Sequence, residues 1–149
     1  MKTYVLTVSK NFPMTHPRRG ESTGFVEAIM DFRQYKEATK IHTIRANYPL
    51  WEKRVKEIND GKARLSIRYW TGKPYNSKQE EILCLTRVGV QKLRWLTSCT
   101  AQIRDNYHVV SDVQLASNDG LSIQDFKDWF RGYDLSRPMA IIWFCNQRY

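Results

Sequence analysis

Residues 40 to 45 read KIHTIR, an amine, an imidazole, a hydroxyl and a guanidinium set around two isoleucines. Such groups could wall a pocket that handles a nucleobase, or decorate an ordinary β-strand. In a regular strand Lys40, His42 and Ile44 point to one face and Ile41, Thr43 and Arg45 to the other, so amine and hydroxyl oppose each other. They meet only if Lys40 still lies in the turn leaving the element before it, free of the pleat. The plain alternative is an edge strand with solvated charges. Any catalysis here would be demanding. A lysine acts as a base near neutral pH only when burial or neighbouring cations lower its pKa, which Arg45 or His42 could assist. A threonine hydroxyl is a weak nucleophile without such a base within reach.

Two loops carry further candidates. THPRRGEST holds His16, Arg18 and Arg19, and WTGKPYNSKQ holds Trp70, Lys73, Tyr75 and Lys78. Cations grip phosphate while an exposed ring stacks on a base, so both loops could clasp a nucleic-acid backbone, with Arg68 on the strand face between them. Each could equally be a solvated turn with its aromatic folded onto the core. Asp119 sits in N-D-G, a strong turn signal by composition alone. His16, His42 and His108 are scattered, with no H-x-E or H-x-x-x-H spacing, so no metal site is expected. No P-loop or G-x-G-x-x-G is present, and no cofactor is expected.

The elements that must position these residues follow from local pattern. TYVLTVS (Thr3–Ser9) is an opening strand, followed by a long proline-containing loop. Phe25, Ala28, Ile29 and Phe32 predict a helix over 24–36, and KIHTIR follows as a strand. Pro49 in a first turn, Trp51, Val55 and Ile58 on one face and Gly61 as a left-handed stop predict a second helix. KARLSIRYW alternates strictly, with Ala63, Leu65, Ile67 and Tyr69 inward and Arg64, Ser66, Arg68 and Trp70 outward. EEILCLTRVGVQKLRW runs back as strand with Gly89 a bulge or break. YHVVSDVQL reads as another strand. Leu121–Tyr133 reads as a helix capped by Ser122, with Asp125 in a capping-box variant, Leu121 against Phe126 as a staple, and Ile123, Phe126, Trp129 and Phe130 as its buried stripe. MAIIWFC is a closing strand central to the sheet.

About six strands with two or three helices in mixed order predict one α+β domain over residues 1–149, built round a curled or closed sheet. The 149 residues suffice for a single core. The longest apolar run, Met139 to Cys145, is too short to cross a bilayer, and the N-terminus lacks the apolar stretch of a secretory signal. Cys84, Cys99 and Cys145 lack C-x-x-C spacing, which fits reduced thiols in a cytoplasmic protein. Residues 1–78 hold 16 Lys/Arg against 7 Asp/Glu, whereas residues 79–149 hold 8 against 8, so the net charge of +9 lies in the first half. Interleaved with Tyr48, Trp51, Tyr69, Trp70 and Tyr75, that excess is what a polyanion-binding face looks like in sequence.

The order of strand, proline-containing loop, helix, K-x-x-T-I-R, W-containing helix closed by G-K, and alternating strand resembles the ASCH domains of the PUA-like superfamily. The resemblance rests on Lys40, Thr43, Ile44 and Arg45, on Trp51 with Gly61-Lys62, and on the late helix behind Asn118-Asp119-Gly120. It covers most of the chain. Where the family places glycine two residues before the lysine, this chain has Ala38. The resemblance implies a PUA-like barrel that recognises RNA or a modified base in its cleft. A subset of the family hydrolyses N4-acetylcytidine to cytidine and acetate. On that pattern Thr43 would be the nucleophile, Lys40 the general base and Asp119 the proton donor, although the subset uses glutamate there. The missing methylene shortens the reach by about 1.3 Å.

Three function classes follow: a module binding RNA or a modified nucleotide through a basic cleft (Arg18, Arg19, Lys40, His42, Thr43, Arg45, Arg68, Trp70, Lys73, Tyr75 and Lys78), an amidohydrolase of the N4-acetylcytidine type, and a domain that meets a protein partner.

Overall fold

The β-branched and aromatic residues of the N-terminal segment form β1, Lys2–Thr7, in a computed structural model that describes the backbone of residues 1–35, 39–96, 100–103 and 108–149, and the side chains of 1–30, 39–96 and 109–149. Ala38, Cys99, the end of the first helix at Lys36, Tyr107 and the side chains of Phe32 and His108 lie outside the described residues. After a long loop come α1 (Phe25–Tyr35), β2 (His42–Arg45), α2 (Tyr48–Asn59), β3 (Ala63–Trp70), β4 (Gln79–Leu85), β5 (Gly89–Trp95), β6 (Thr100–Ile103), β7 (His108–Ser111), α3 (Asp112–Asn118), α4 (Ile123–Phe130) and β8 (Met139–Trp143).

The α+β class holds, with eight strands and four helices among the described residues rather than six and two or three. The described strands form two sheets, ordered β1-β3-β4 and β2-β8-β5-β6-β7, and not one curled or closed barrel. β1 pairs parallel to β3, with Thr7 opposite Arg68, so the loop after β1 and the hairpin after β3 leave from the same end of that sheet. All five residues of β8 are buried, and it lies between β2 and β5 as its apolar run predicts. Helix α2 places Trp51, Val55 and Ile58 in the core, and Asn47 caps it by accepting from the Leu50 N–H.

Three local expectations change. YHVVSDVQL does not remain extended: Ser111 caps α3 by accepting from the Gln114 N–H, and the chain turns helical at Asp112. Short apolar spacing does not separate strand from helix, and a serine cap decides it here. EEILCLTRVGVQKLRW is not one strand: it breaks after Leu85 into β4 and β5, which belong to different sheets, and Gly89 opens β5 at that break, with Arg148 packed where its side chain would be. Ser66, expected outward, is fully buried. Its strand is the central one of the sheet, and its Oγ is covered by Glu81 and by Arg68, whose Nε donates to it at 2.8 Å.

Candidate functional site

The strand His42–Arg45 begins two residues after Lys40, which settles the geometric problem posed by KIHTIR. Lys40 pairs with Asp119 as an isolated bridge, outside the pleat, with the Ile41 N–H donating to Asn118 O at 3.0 Å. Lys40 and Thr43 therefore line one cavity of about 340 Å³ together with Arg45 and Asp119. Its aromatic wall comes from Phe25 of α1, Trp129 and Phe130 of α4, and Tyr133 just beyond.

Asp119 is delivered by the end of α3. Gly120 takes φ 79° and donates to Ser117 O, while Leu121 N–H reaches Ala116 O, so the helix closes in a Schellman motif. A Cβ on Gly120 would stand 3.0 Å from Lys40 Cβ. The glycine thus serves both the left-handed turn and the close approach of the lysine.

The amine is clamped. Lys40 Nζ donates to Asp119 O at 2.8 Å and Oδ1 at 3.0 Å, and lies 4.1 Å from the centroid of the Phe25 ring. Burial pulls the Lys40 pKa below its usual value, while Asp119 pushes it back up. Burial raises the Asp119 carboxyl, but Lys40 and His42 outweigh it and hold the pKa below the ordinary value. His42, fully buried, is kept neutral chiefly by desolvation. Asn118 Nδ2 donates to the Tyr149 hydroxyl at 3.0 Å, and that hydroxyl lies 2.6 Å from His42 Nε2. Burial raises the Tyr149 phenol, so it keeps its proton and donates it to Nε2. The imidazole proton is then on Nδ1, which faces Asp119 Oδ1 at 3.4 Å, close enough for electrostatic support but longer than a made hydrogen bond.

Arg45 reaches back to the first sheet, donating from Nη2 to Thr7 O at 2.7 Å, while its buried Nε–H has no hydrogen-bond partner. The loop after β1 supplies Pro13 and Thr15 to the cavity. It is pinned by His16, only 1% exposed, whose Nδ1 accepts the Arg18 N–H at 3.0 Å and whose Nε2 therefore donates to Asp125 O at 3.1 Å.

The remaining candidates separate from this group. His42 lies beneath the cavity, edge-on to Trp143 at 4.8 Å, and cannot touch a nucleic acid. Arg18 is committed to Asp125 and Glu21 and lies over Phe12, so it is a brace for the loop. Arg68 is engaged with Ser66. Arg19, Lys73, Tyr75 and Lys78 are exposed, and Trp70, half-buried, packs on Tyr75 at 5.2 Å. None of these lines the cavity. What pattern reading missed are the second duties of core-like residues: Trp129 and Phe130, part of a buried stripe, also face the cavity, and Tyr149 orients His42 from a segment without regular structure. Leu121 and Phe126 are buried as a staple requires, but Asp125 turns to Arg18.

Among the described residues no group of three or more His, Cys, Asp or Glu is placed to hold a metal ion, and no helix is long and apolar enough to cross a membrane. No protein-family model, curated protein or solved structure matches the chain.

Proposed function

We propose that the chain binds RNA or a modified nucleotide by taking one base into the Lys40–Thr43–Asp119 cavity. The observation that carries this is the convergence on a single cavity of a lysine, an arginine, a threonine hydroxyl and a carboxylate with four aromatic rings. Its volume lies at the small end of ligand pockets, which run from about 300 to 1,000 Å³. Rings offer stacking surface, and the polar groups offer both donors and acceptors to a base edge. The exposed cations Arg19, Lys73 and Lys78 leave the sheet end from which both loops depart and supply a phosphate-binding rim. The reading draws on the resemblance to ASCH domains, carried by the ordered set Lys40, Thr43, Ile44, Arg45, Trp51 and Gly61-Lys62, although the described strands form two sheets and not the barrel that the resemblance implies. The free thiols of Cys84 and Cys145 fit a reducing cytoplasm.

Equilibrium titration with nucleosides, nucleoside monophosphates and short RNA tests the reading. RNA affinity falls steeply between about 50 and 200 mM salt, and Thr43→Val weakens nucleoside binding without unfolding the protein. Absence of binding to every member of the panel at low salt rejects it.

One observation favours a second reading, hydrolysis of N4-acetylcytidine: the three residues assigned to that chemistry by family pattern share the cavity. Thr43 Oγ would attack the acetyl carbon as its proton passes to neutral Lys40. The C–N bond breaks, the amine leaves with a proton, and water releases acetate from the acyl-threonine. The clamp on Lys40 by Asp119 opposes this, because it favours the charged amine against the lowering by burial. Acetate release that Asp119→Glu increases and Lys40→Ala abolishes would establish it. No acetate from the wild-type protein removes it.

A further inference from the structure

The cavity does not end at its own wall. Ala46 and Tyr133 line it and also line a second cavity of about 480 Å³. The neighbour is floored by Pro49, Pro138 and Met139 and edged by Asp134 and Arg137. Tyr133 stands between the two. It packs edge-on against Phe130 at 5.0 Å, yet 46% of its surface stays exposed, so the ring is held in place and still available for stacking.

Charge indicates what connects the two hollows. In the first, Lys40 and Arg45 stand against one carboxylate, Asp119, which leaves one formal positive charge among the lining residues. Lys40 is the cation that Asp119 pairs with; Arg45 has its bond to Thr7 O and a buried Nε–H without a hydrogen-bond partner. Arg45 immediately precedes Ala46, the residue both cavities share. A guanidinium unmatched by a carboxylate of its own therefore lines the first cavity within electrostatic reach of Tyr133, the other residue both cavities share. On the far side Arg137 has a side chain 87% exposed and sits 3.9 Å from Asp134, a long surface pair of little strength. An elongated ligand with flat rings at both ends and an anion between them matches this order of groups.

We propose that the two cavities are adjoining subsites for consecutive nucleotides of one strand. One base enters the first cavity, the phosphodiester crosses Ala46 beside Arg45, and the next nucleoside stacks on Tyr133 with Arg137 toward its outer phosphate. The inference rests on the nucleotide reading of the first cavity and extends it from a base pocket to a two-nucleotide site.

Isothermal titration of the full chain with a panel of ribonucleoside monophosphates and the matching ribodinucleotides separates the two ideas. The site predicts that the best dinucleotide binds at least about tenfold more tightly than its better mononucleotide, a gain of about 1.4 kcal/mol. The gain, taken as a ratio within each variant, falls to about twofold or less in Tyr133→Ala and drops in Arg137→Glu, with circular dichroism verifying that both variants fold. Equal affinity for mono- and dinucleotides overturns the second subsite and leaves the base pocket standing. A dinucleotide gain that survives both substitutions overturns its location. Binding of neither probe class overturns the subsite together with the reading beneath it.

Discussion

Charge is used in opposite ways in two regions of this molecule. Around Asp119, Lys40 and His42 are almost wholly removed from water, and each is fixed by named partners at 2.6 to 3.4 Å. In the hairpin after β3, Lys73, Tyr75 and Lys78 stand in solvent, with Tyr75 87% exposed. Desolvated charges are costly unless paired, so the first group is retained at the expense of stability and in one geometry. Solvated charges cost little and adapt. The comparison teaches that positive residues equally visible in sequence divide into a buried, fixed group and a solvated, tolerant one, and that burial assigns them.

The largest difference between the regions is expected on removal of a single charge. Asp119→Ala strands Lys40 without its carboxylate and costs about 3–5 kcal/mol in urea unfolding, whereas Lys73→Ala stays within about 0.5 kcal/mol of wild type. Equal effects would erase the distinction. The same pair has a pH signature. Asp119 is held below its ordinary 3.8, so its contribution is present above that pH and is lost as pH falls through the depressed folded value. Lys40 is also lowered, and its slope has the same sign in a higher window: the unfolded chain binds the proton more tightly, so stability rises with pH between its folded pKa and the ordinary 10.5. Unfolding of wild type and Asp119→Asn across the acid range checks the first limb, with the gap between them shrinking below about pH 4.

A smaller effect probes the orientation of the buried network. Tyr149→Phe leaves His42 Nε2 and Asn118 Nδ2 without their shared partner and costs about 1–3 kcal/mol. It also moves the imidazole ¹⁵N resonances, because the proton on Nδ1 is no longer enforced. Unchanged resonances would mean that the phenol does not select the tautomer.

The smallest structural effect belongs to the rim. Lys73→Ala with Lys78→Ala leaves stability unchanged and reduces the slope of log affinity against log salt for RNA by about 1 to 2. An unchanged slope would place both lysines away from the bound backbone.

Much of the framework was legible because local chemistry and tertiary demand agree. Ser122 does cap α4, Gly61 takes φ 78° after α2, and the apolar run of β8 lies in the middle of its sheet. The pair Lys40 and Thr43 was also visible, with the condition they had to meet. Pattern could not show which element Lys40 belongs to, since the contact with Asp119 spans 79 residues of chain. Arg18 and Arg19 are adjacent, alike in sequence and both exposed; the pairs with Glu21 and the distant Asp125 make Arg18 a brace. Aromatic spacing in α4 foretold burial but not that the same rings face a cavity. Non-local pairing therefore decided both where the strands close and which cations are buried or held by a carboxylate.

The most direct measurement is ¹H–¹⁵N chemical-shift mapping of the labelled protein during titration with a nucleoside monophosphate panel. Recognition of a base by the buried group predicts saturable shifts centred on Thr43, Arg45, Asp119 and the Trp129 indole, with smaller ones at Lys73 and Lys78. Shifts confined to the exposed hairpin, or no saturable change at the cavity for any nucleotide, would contradict it.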